Sequence, residues 1–227
     1  MSEFRHLNSQ NRATLYSIHQ AIRLVDRPLA IRFQQQILDP IEEARPELNI
    51  HEGRILVATD GSLRAHSSGR NCAAAACVYT LEDSRLNRTT ALPVAHDISI
   101  LTAEITALLA AILVAREENY VNILVIADSK STIDKFNVLK TTGYRPSVAN
   151  NLGTTFLEKQ LWQAIAHEAK AINVIMRHIH SHQAGPQSHI MRLNTKADEN
   201  AKAKMQSILQ RTREEDGIAL ERPAGPT

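Results

Sequence analysis

"RILVATDGS", Arg54 to Ser62, is the stretch whose reading decides the fold. Ile55, Leu56, Val57 and Ala58 make a continuous apolar run, the pattern of a buried strand, and the run gives way to Asp60, Gly61 and Ser62. Alone, an aspartate before Gly-Ser reads as a turn residue that ends the strand. A second stretch, "NILVIADS" at 122 to 129, repeats the design with an apolar run closed by Asp128 and Ser129. Two such strands lying as parallel neighbours would bring both carboxylates out at one edge of a sheet.

Between these strands, "NCAAAACVYT" (71 to 80) and "RTTALPVAHDI" (88 to 98) read as strands separated by the polar "LEDSRLN", so the first three strands form an antiparallel meander. "LTAEITALLAAILVAREE" (101 to 118) is an amphipathic helix with Leu101, Ile105, Leu108 and Ile112 on one stripe, widened by Leu109 and Leu113. After the fourth strand, "SKSTIDKFNVLK" opens a short helix from a Ser/Thr start signal. A Gly/Pro/Asn-containing loop (141 to 155), a helix (156 to 171), a strand (172 to 182) and a last helix (194 to 209) follow. The order predicts an α/β fold, a mixed five-stranded sheet flanked by helices, over residues 53–210. Ahead of it, Leu15, Ile18, Ile22 and Val25 recur at helical spacing, so residues 1–50 read as a helical N-terminal extension. Residues 211–227 turn charged and then Pro/Gly-containing, and read as a flexible tail.

With 43% hydrophobic and 22% charged residues in 227, the chain has the apolar content for a core, which excludes wholesale disorder. A net charge of +2, from 26 basic and 24 acidic residues, confines any polyanion-binding surface to a local patch. "MSEFRHLNSQ" has no apolar signal core, and no run is long enough to span a bilayer, so the expectation is a soluble, intracellular protein, cytoplasmic or nuclear and not secreted. Cys72 and Cys77 lie an odd number of residues apart in one strand, which sends them to opposite faces and argues for a reducing compartment.

Four acids sit where apolar patterning does not call for them: Asp60, Glu104, Asp128 and Asp198. Each has a local explanation. Asp60 is a turn residue, Asp128 a helix cap, Glu104 an early-turn acid facing the helix dipole, and Asp198 a first-turn acid that pairs with Lys202 one turn on. Brought together they have another: adjacent carboxylates raise one another's pKa unless a cation lies between them. A hard divalent ion such as Mg²⁺ takes few protein ligands and completes its shell with water and substrate phosphate, and two ions clamp the oxygens of a phosphoryl displacement.

In this order "ATDGS", "LTAEITALLAAI", "IADSKSTI" and "HIHSHQ" followed by "NTKAD" resemble the ribonuclease H family, over about Arg54 to Leu209. There, strand one ends in T-D-G-S, the first long helix bears an A-E-x-x-A-type glutamate, strand four ends in D-S, and the final helix opens with N-x-x-A-D. The motifs look more like the retroelement-type members. The resemblance implies that Asp60, Glu104, Asp128 and Asp198 are the catalytic, metal-binding tetrad. It implies two Mg²⁺ ions, with Mn²⁺ as a substitute, and hydrolysis of the RNA strand of an RNA/DNA hybrid to 3′-hydroxyl and 5′-phosphate ends. The mobile-loop histidine would be His182, although the K-G-H context is missing and His189 is a rival. Gly61, Ser62, Ser129, Lys130 and Asn194 are the expected substrate-side residues, Gly61 and Ser62 as a small turn that lets a nucleic-acid backbone approach. Lys130, Lys135, Lys140, Arg145 and Lys159, with Tyr144, surround the loop where some members carry a basic protrusion; an ordinary solvated helix face reads equally well. Trp162 reads as core. Residues 1–50 would then contact a reverse transcriptase or another protein.

Three other readings stay open. A resolvase- or transposase-like DNA nuclease also places aspartates on its first and fourth strands. A non-catalytic nucleic-acid- or protein-binding module of the same fold would be expected to have lost a carboxylate. Finally, His178, His180 and His182 alternate on one strand and could ligate zinc, but no H-E-x-x-H partner accompanies them.

Overall fold

The apolar run from Ile55 to Ala58 lies at the centre of the sheet. The computed structural model describes residues 48–66, 69–149, 152–180 and 188–220, with side chains as far as residue 212. Its elements are β1 (Ile50–His51), β2 (Arg54–Ala65), β3 (Asn71–Val78), β4 (Arg88–Ala91), α1 (Ile100–Glu117), β5 (Asn122–Ala127), α2 (Lys130–Thr141), α3 (Phe156–Glu168), β6 (Asn173–His178) and α4 (His189–Leu220). The strands run in the order β4-β3-β2-β5-β6, with β1 added to β2. The meander β2-β3-β4 is antiparallel, and β2, β5 and β6 are parallel. This is the mixed, helix-flanked sheet that the alternation of patterns predicts.

Successive residues of β2 serve two cores. Val57 faces a cluster that includes Ile105, Leu108 and Ile112 of α1 and the fully buried Trp162 of α3. Leu56 and Ala58 face the other way, onto Leu193 and Ala197 of α4. The two cysteines divide as their spacing requires: Cys77 belongs to the α1 side and Cys72 packs with Met205 and Leu209 of α4, and no disulfide joins them. Four consecutive alanines, 73 to 76, keep β3 thin enough for helices to close on both of its faces.

Several boundaries differ from the sequence reading; the last strand, expected over 172 to 182, ends at His178, so His180 lies beyond it. A sixth strand is present because Ile50–His51 folds back on β2 through Glu52 and Gly53, whose φ values of 52° and 71° are the paired left-handed conformations of a tight hairpin turn. A glutamate stands there in place of the usual Asn or Asp, which hides the signal. The third predicted strand stops at Ala91, ahead of Pro93, which has no N–H to give the ladder; beyond it Ala95 makes a single isolated bridge to Asn71. The last helix begins at His189, five residues before Asn194, with the Ser188 hydroxyl accepting from the Met191 N–H. It continues to Leu220, through residues 211–220 of the segment read as a tail. Residues 1–47, and with them nearly all of the helical extension read over residues 1–50, lie outside the described residues. Among the described residues no helix is long and apolar enough to cross a membrane.

Candidate metal centre

β2 and β5 pair in parallel with Ala58 opposite Ile126 as the last partners. Two more residues in that register put Asp60 level with Asp128. The side chains of Asp60 and Ala58 share a face, since they are two residues apart on one strand. Asp60 does not end its strand, as the sequence reading had it. β2 runs on to Ala65 against β3, with Asp60 opposite Ala76, Gly61 opposite Ala75 and Ser62 opposite Ala74. What ends is β5, at Ala127, so Asp60 lies where β2 outruns its parallel neighbour.

Gly61 is likewise a strand residue and not a turn. Its position faces α1, and a Cβ built there would lie 2.8 Å from both Ala103 Cβ and the Glu104 backbone nitrogen. The glycine therefore makes room for the helix, where the sequence reading had it make room for a substrate backbone. With the helix this close, the Gly61 N–H donates to Asp60 Oδ1 at 2.8 Å and to Glu104 Oε1 at 3.2 Å. One backbone donor thus ties together acids from a strand and a helix.

The start of α1 is held from two sides. Ser99 and Thr102 form a capping box, each side chain accepting from the other's backbone N–H. Glu158, in the capping box of α3 with Thr155, reaches across to the same place. Its carboxylate accepts from Ser99 Oγ at 2.9 Å, from Thr154 N at 2.8 Å and from Thr154 Oγ1 at 3.0 Å. Burial alone would push the Glu158 pKa up, but hydrogen bonds from Thr154 and Ser99 prevail and hold it below the usual value. The sequence reading did not single out Glu158; the T-x-x-E pattern at 155 to 158 was its signal.

Asp128 is not the cap of α2. Ser129 takes that task, its hydroxyl accepting from the Thr132 N–H, and leaves the Asp128 carboxylate to turn toward Asp60. Asp60, Glu104 and Asp128 each bring a carboxylate oxygen to within 4.8 Å of the others. Asp198 approaches them from α4, in its third turn, where its charge acts on Asp60. Its Oδ2 also accepts from Lys202 Nζ at 2.6 Å, the i,i+4 pair that the sequence reading gave as its local explanation.

Burial and like charge act together here. Asp60 is pushed up to about 7, first by burial and then by the charges of Asp128 and Asp198. Glu104 is pushed up to about 9, again by burial first and then by Asp60 and Asp128. Glu104 Oε2 is buried with no hydrogen-bond partner. A buried oxygen left unpaired among repelling carboxylates is costly, and a divalent cation bound between them relieves both burdens. The donor set, carboxylate oxygens alone, suits a hard ion such as Mg²⁺ or Mn²⁺.

The other predicted residues fall around this centre unevenly. Ser62 is buried on the Asp60 face of β2, and Asn194 is buried one turn before Asp198 with its Oδ1 unpaired. Lys130 is exposed at the first position of α2. His189 is the first residue of α4, and His182 lies outside the described residues. His178 was considered for zinc; instead its Nε2 lies 3.0 Å from the Asp128 carbonyl oxygen, beside the carboxylates. His178 and His180 meet edge to face at 4.9 Å and are both exposed, and among the described residues the group with metal-ligand spacing is Asp60, Glu104 and Asp128. Of the basic residues, Lys140 donates to the Val174 carbonyl at 2.8 Å, and Tyr144 packs on Phe136.

A sequence model of the RNase H family matches residues 52–206. Among solved structures, the PFV RNase H domain is 21% identical with a TM-score of 0.50, the match covering 67% of this chain and 94% of that one. The Prototype Foamy Virus protease-reverse transcriptase (CSH mutant) is 21% identical at a TM-score of 0.52, covering 72% of this chain and 22% of that one. The foamy viral protease-reverse transcriptase in complex with an RNA/DNA hybrid is 15% identical at a TM-score of 0.51, covering 76% of this chain and 24% of the other. At these identities the likeness is one of fold. A search of curated proteins finds no significant match.

Proposed function

The chain belongs to the ribonuclease H family, and we propose that it is an endonuclease that hydrolyses the RNA strand of RNA/DNA hybrids with two divalent ions, leaving 3′-hydroxyl and 5′-phosphate ends. The observation that carries this reading is the meeting of Asp60, Glu104 and Asp128 around a buried, unpartnered oxygen. These three, with Asp198, would hold the ions. When bound, Mg²⁺ or Mn²⁺ supplies an activated water and neutralises charge that develops on the phosphodiester. The chain's own part is to present ionised carboxylates in fixed positions. Gly61 N–H orients two of them, Ser129 releases a third from capping duty, and Glu158 fixes the helix that carries Glu104. Lys130, exposed at the start of α2, would meet a phosphate as a sequence-independent and salt-sensitive contact. Asn194 and Ser62 would line the substrate side, and His182 would move protons or help product leave. The hybrid as substrate follows from the family, and one foamy viral neighbour was solved with such a hybrid.

The test is cleavage of end-labelled RNA in three forms, hybrid, single-stranded and double-stranded, with Mg²⁺ or EDTA and with Asp60→Asn as control. Cutting confined to the hybrid, dependent on Mg²⁺ and lost in the variant, is the expected result. Binding of the hybrid without cleavage in Mg²⁺ or Mn²⁺ sinks the enzyme reading in favour of a binding module. Cleavage of DNA in its place points to the resolvase-like alternative.

A further inference from the structure

Lys202 is not part of any motif that led to the metal centre, yet its ammonium lies on one of the centre's acids. Nζ donates to Asp198 Oδ2 at 2.6 Å, across one turn of α4. The charge of Asp198 acts on Asp60, and the charge of Asp60 acts on Lys202 as well. Both side chains of the pair keep solvent access, with 51% of the lysine and 26% of the aspartate exposed. The pair can therefore open without unfolding anything. By contrast, among the described residues no lysine or arginine lies within salt-bridge distance of Asp60, Glu104 or Asp128.

We propose that Lys202 is a resident counter-cation that competes with a divalent ion for Asp198, so that metal uptake by the fourth carboxylate is coupled to an incoming phosphate that draws the lysine away. The inference rests on the metal-centre reading above. A carboxylate that already has a cation at hydrogen-bonding distance gains less from a second one, whereas a nucleic-acid phosphate offers the ammonium an alternative partner. Coupling of this kind is reciprocal: the anion that attracts Lys202 strengthens metal binding, and metal strengthens the anion. Lys202 then acts as a positioning residue, through Asp198, and sets the order in which the site fills.

The experiment is Mn²⁺ binding to the full chain, followed by calorimetry and by the loss of the free-ion paramagnetic resonance signal, so that no turnover is needed. Wild type, Lys202→Met and Lys202→Arg are compared without nucleic acid and with a DNA duplex, which offers phosphates but no RNA strand to cut. The Met variant is expected to bind its weaker ion about fivefold more tightly than wild type, the upper range for an exposed ion pair, while the Arg variant stays at the wild-type value. The duplex is expected to tighten that ion in wild type and to have no such effect in the Met variant. A Met variant with unchanged or weaker Mn²⁺ affinity overturns the competition, and equal responses of the two proteins to the duplex, including none, overturn the coupling. If no protein in the series binds Mn²⁺ at all, the metal-centre reading falls and takes this inference with it. A gain of affinity cannot arise from damage to the fold, which separates the proposed role from a merely structural one.

Discussion

Glu104 and Asp198 reach the same strand from opposite faces of the sheet, and the two flanks are built in contrasting ways. On the α1 flank the helix presses against Gly61, its first turn is capped by Ser99 and Thr102, and Glu158 binds that cap to α3. Glu104 has no freedom there and is 5% exposed. On the α4 flank Asp198 sits in the third turn of a long helix, its side chain 26% exposed, with a flexible lysine as partner. The difference teaches that one half of the centre is held by packing and the other by charge. Rigid carboxylates give a site its place, and an adjustable one gives it a way to respond.

The contrast can be broken most severely at the residue that both flanks share. Asp60→Asn is expected to lower Mg²⁺-dependent hybrid cleavage by about 10²- to 10³-fold or more, measured at saturating metal, because it removes charge where both flanks meet. The variant is expected to stay folded, which circular dichroism checks.

The next effect is on pH dependence. Asp60 and Glu104 have folded-state values raised to about 7 and about 9 from ordinary values of 3.8 and 4.5. A group with a raised pKa contributes its stability below its unfolded value and loses it as pH rises through the folded value. In EDTA the melting temperature is therefore expected to fall from about pH 4 upward, the Asp60 share being lost by about 7 and the Glu104 share by about 9, a loss on the order of a few kcal/mol. Excess Mg²⁺ or Mn²⁺ should restore stability at the alkaline end, where the ionised acids bind it. A flat profile in EDTA would mean that the carboxylates are less crowded than the structure places them.

Smaller effects test the rigid flank alone. Gly61→Ala puts a methyl group where α1 lies, and is expected to cost about 2–3 kcal/mol in denaturant unfolding and to lower activity by moving Glu104. Glu158→Ala strips the shared acceptor from the starts of α1 and α3, at an expected cost of about 1–2 kcal/mol in the same measurement. If Gly61→Ala left both stability and activity unchanged, the α1 flank would be as adjustable as the α4 flank.

Much of this was legible in the sequence, and the misses are instructive. The parallel pairing of "RILVA" with "NILVIA" is encoded in two uninterrupted apolar runs, since only strands covered on both faces can be apolar at every position. The early start of α4 was missed although Ser188 is an ordinary cap and Leu193 and Ala197 continue the stripe of Ala201 and Met205; the Gly-Pro and histidines before it gave the segment the look of a loop. Glu158 was missed because its importance lies in reaching a helix that begins 59 residues earlier at Ser99, and no local pattern records a contact across that separation.

The sequence by itself determined which acids were candidates, because Asp60 and Asp128 interrupt apolar runs and Glu104 sits among helix residues otherwise apolar or small. It also determined the family, through the order of its motifs. Only the tertiary structure decided what Gly61 is for: it lies in a strand that continues past Asp60, and its bare Cα lets a helix come within contact of the sheet. The Asp198–Lys202 pair is legible from its i,i+4 spacing, whereas only the tertiary structure brings Asp198 to Asp60 from the face opposite Glu104. Residue type and spacing fix what chemistry a side chain can perform and which face it takes, whereas how close two elements pack depends on every side chain between them, and that is settled when the chain folds.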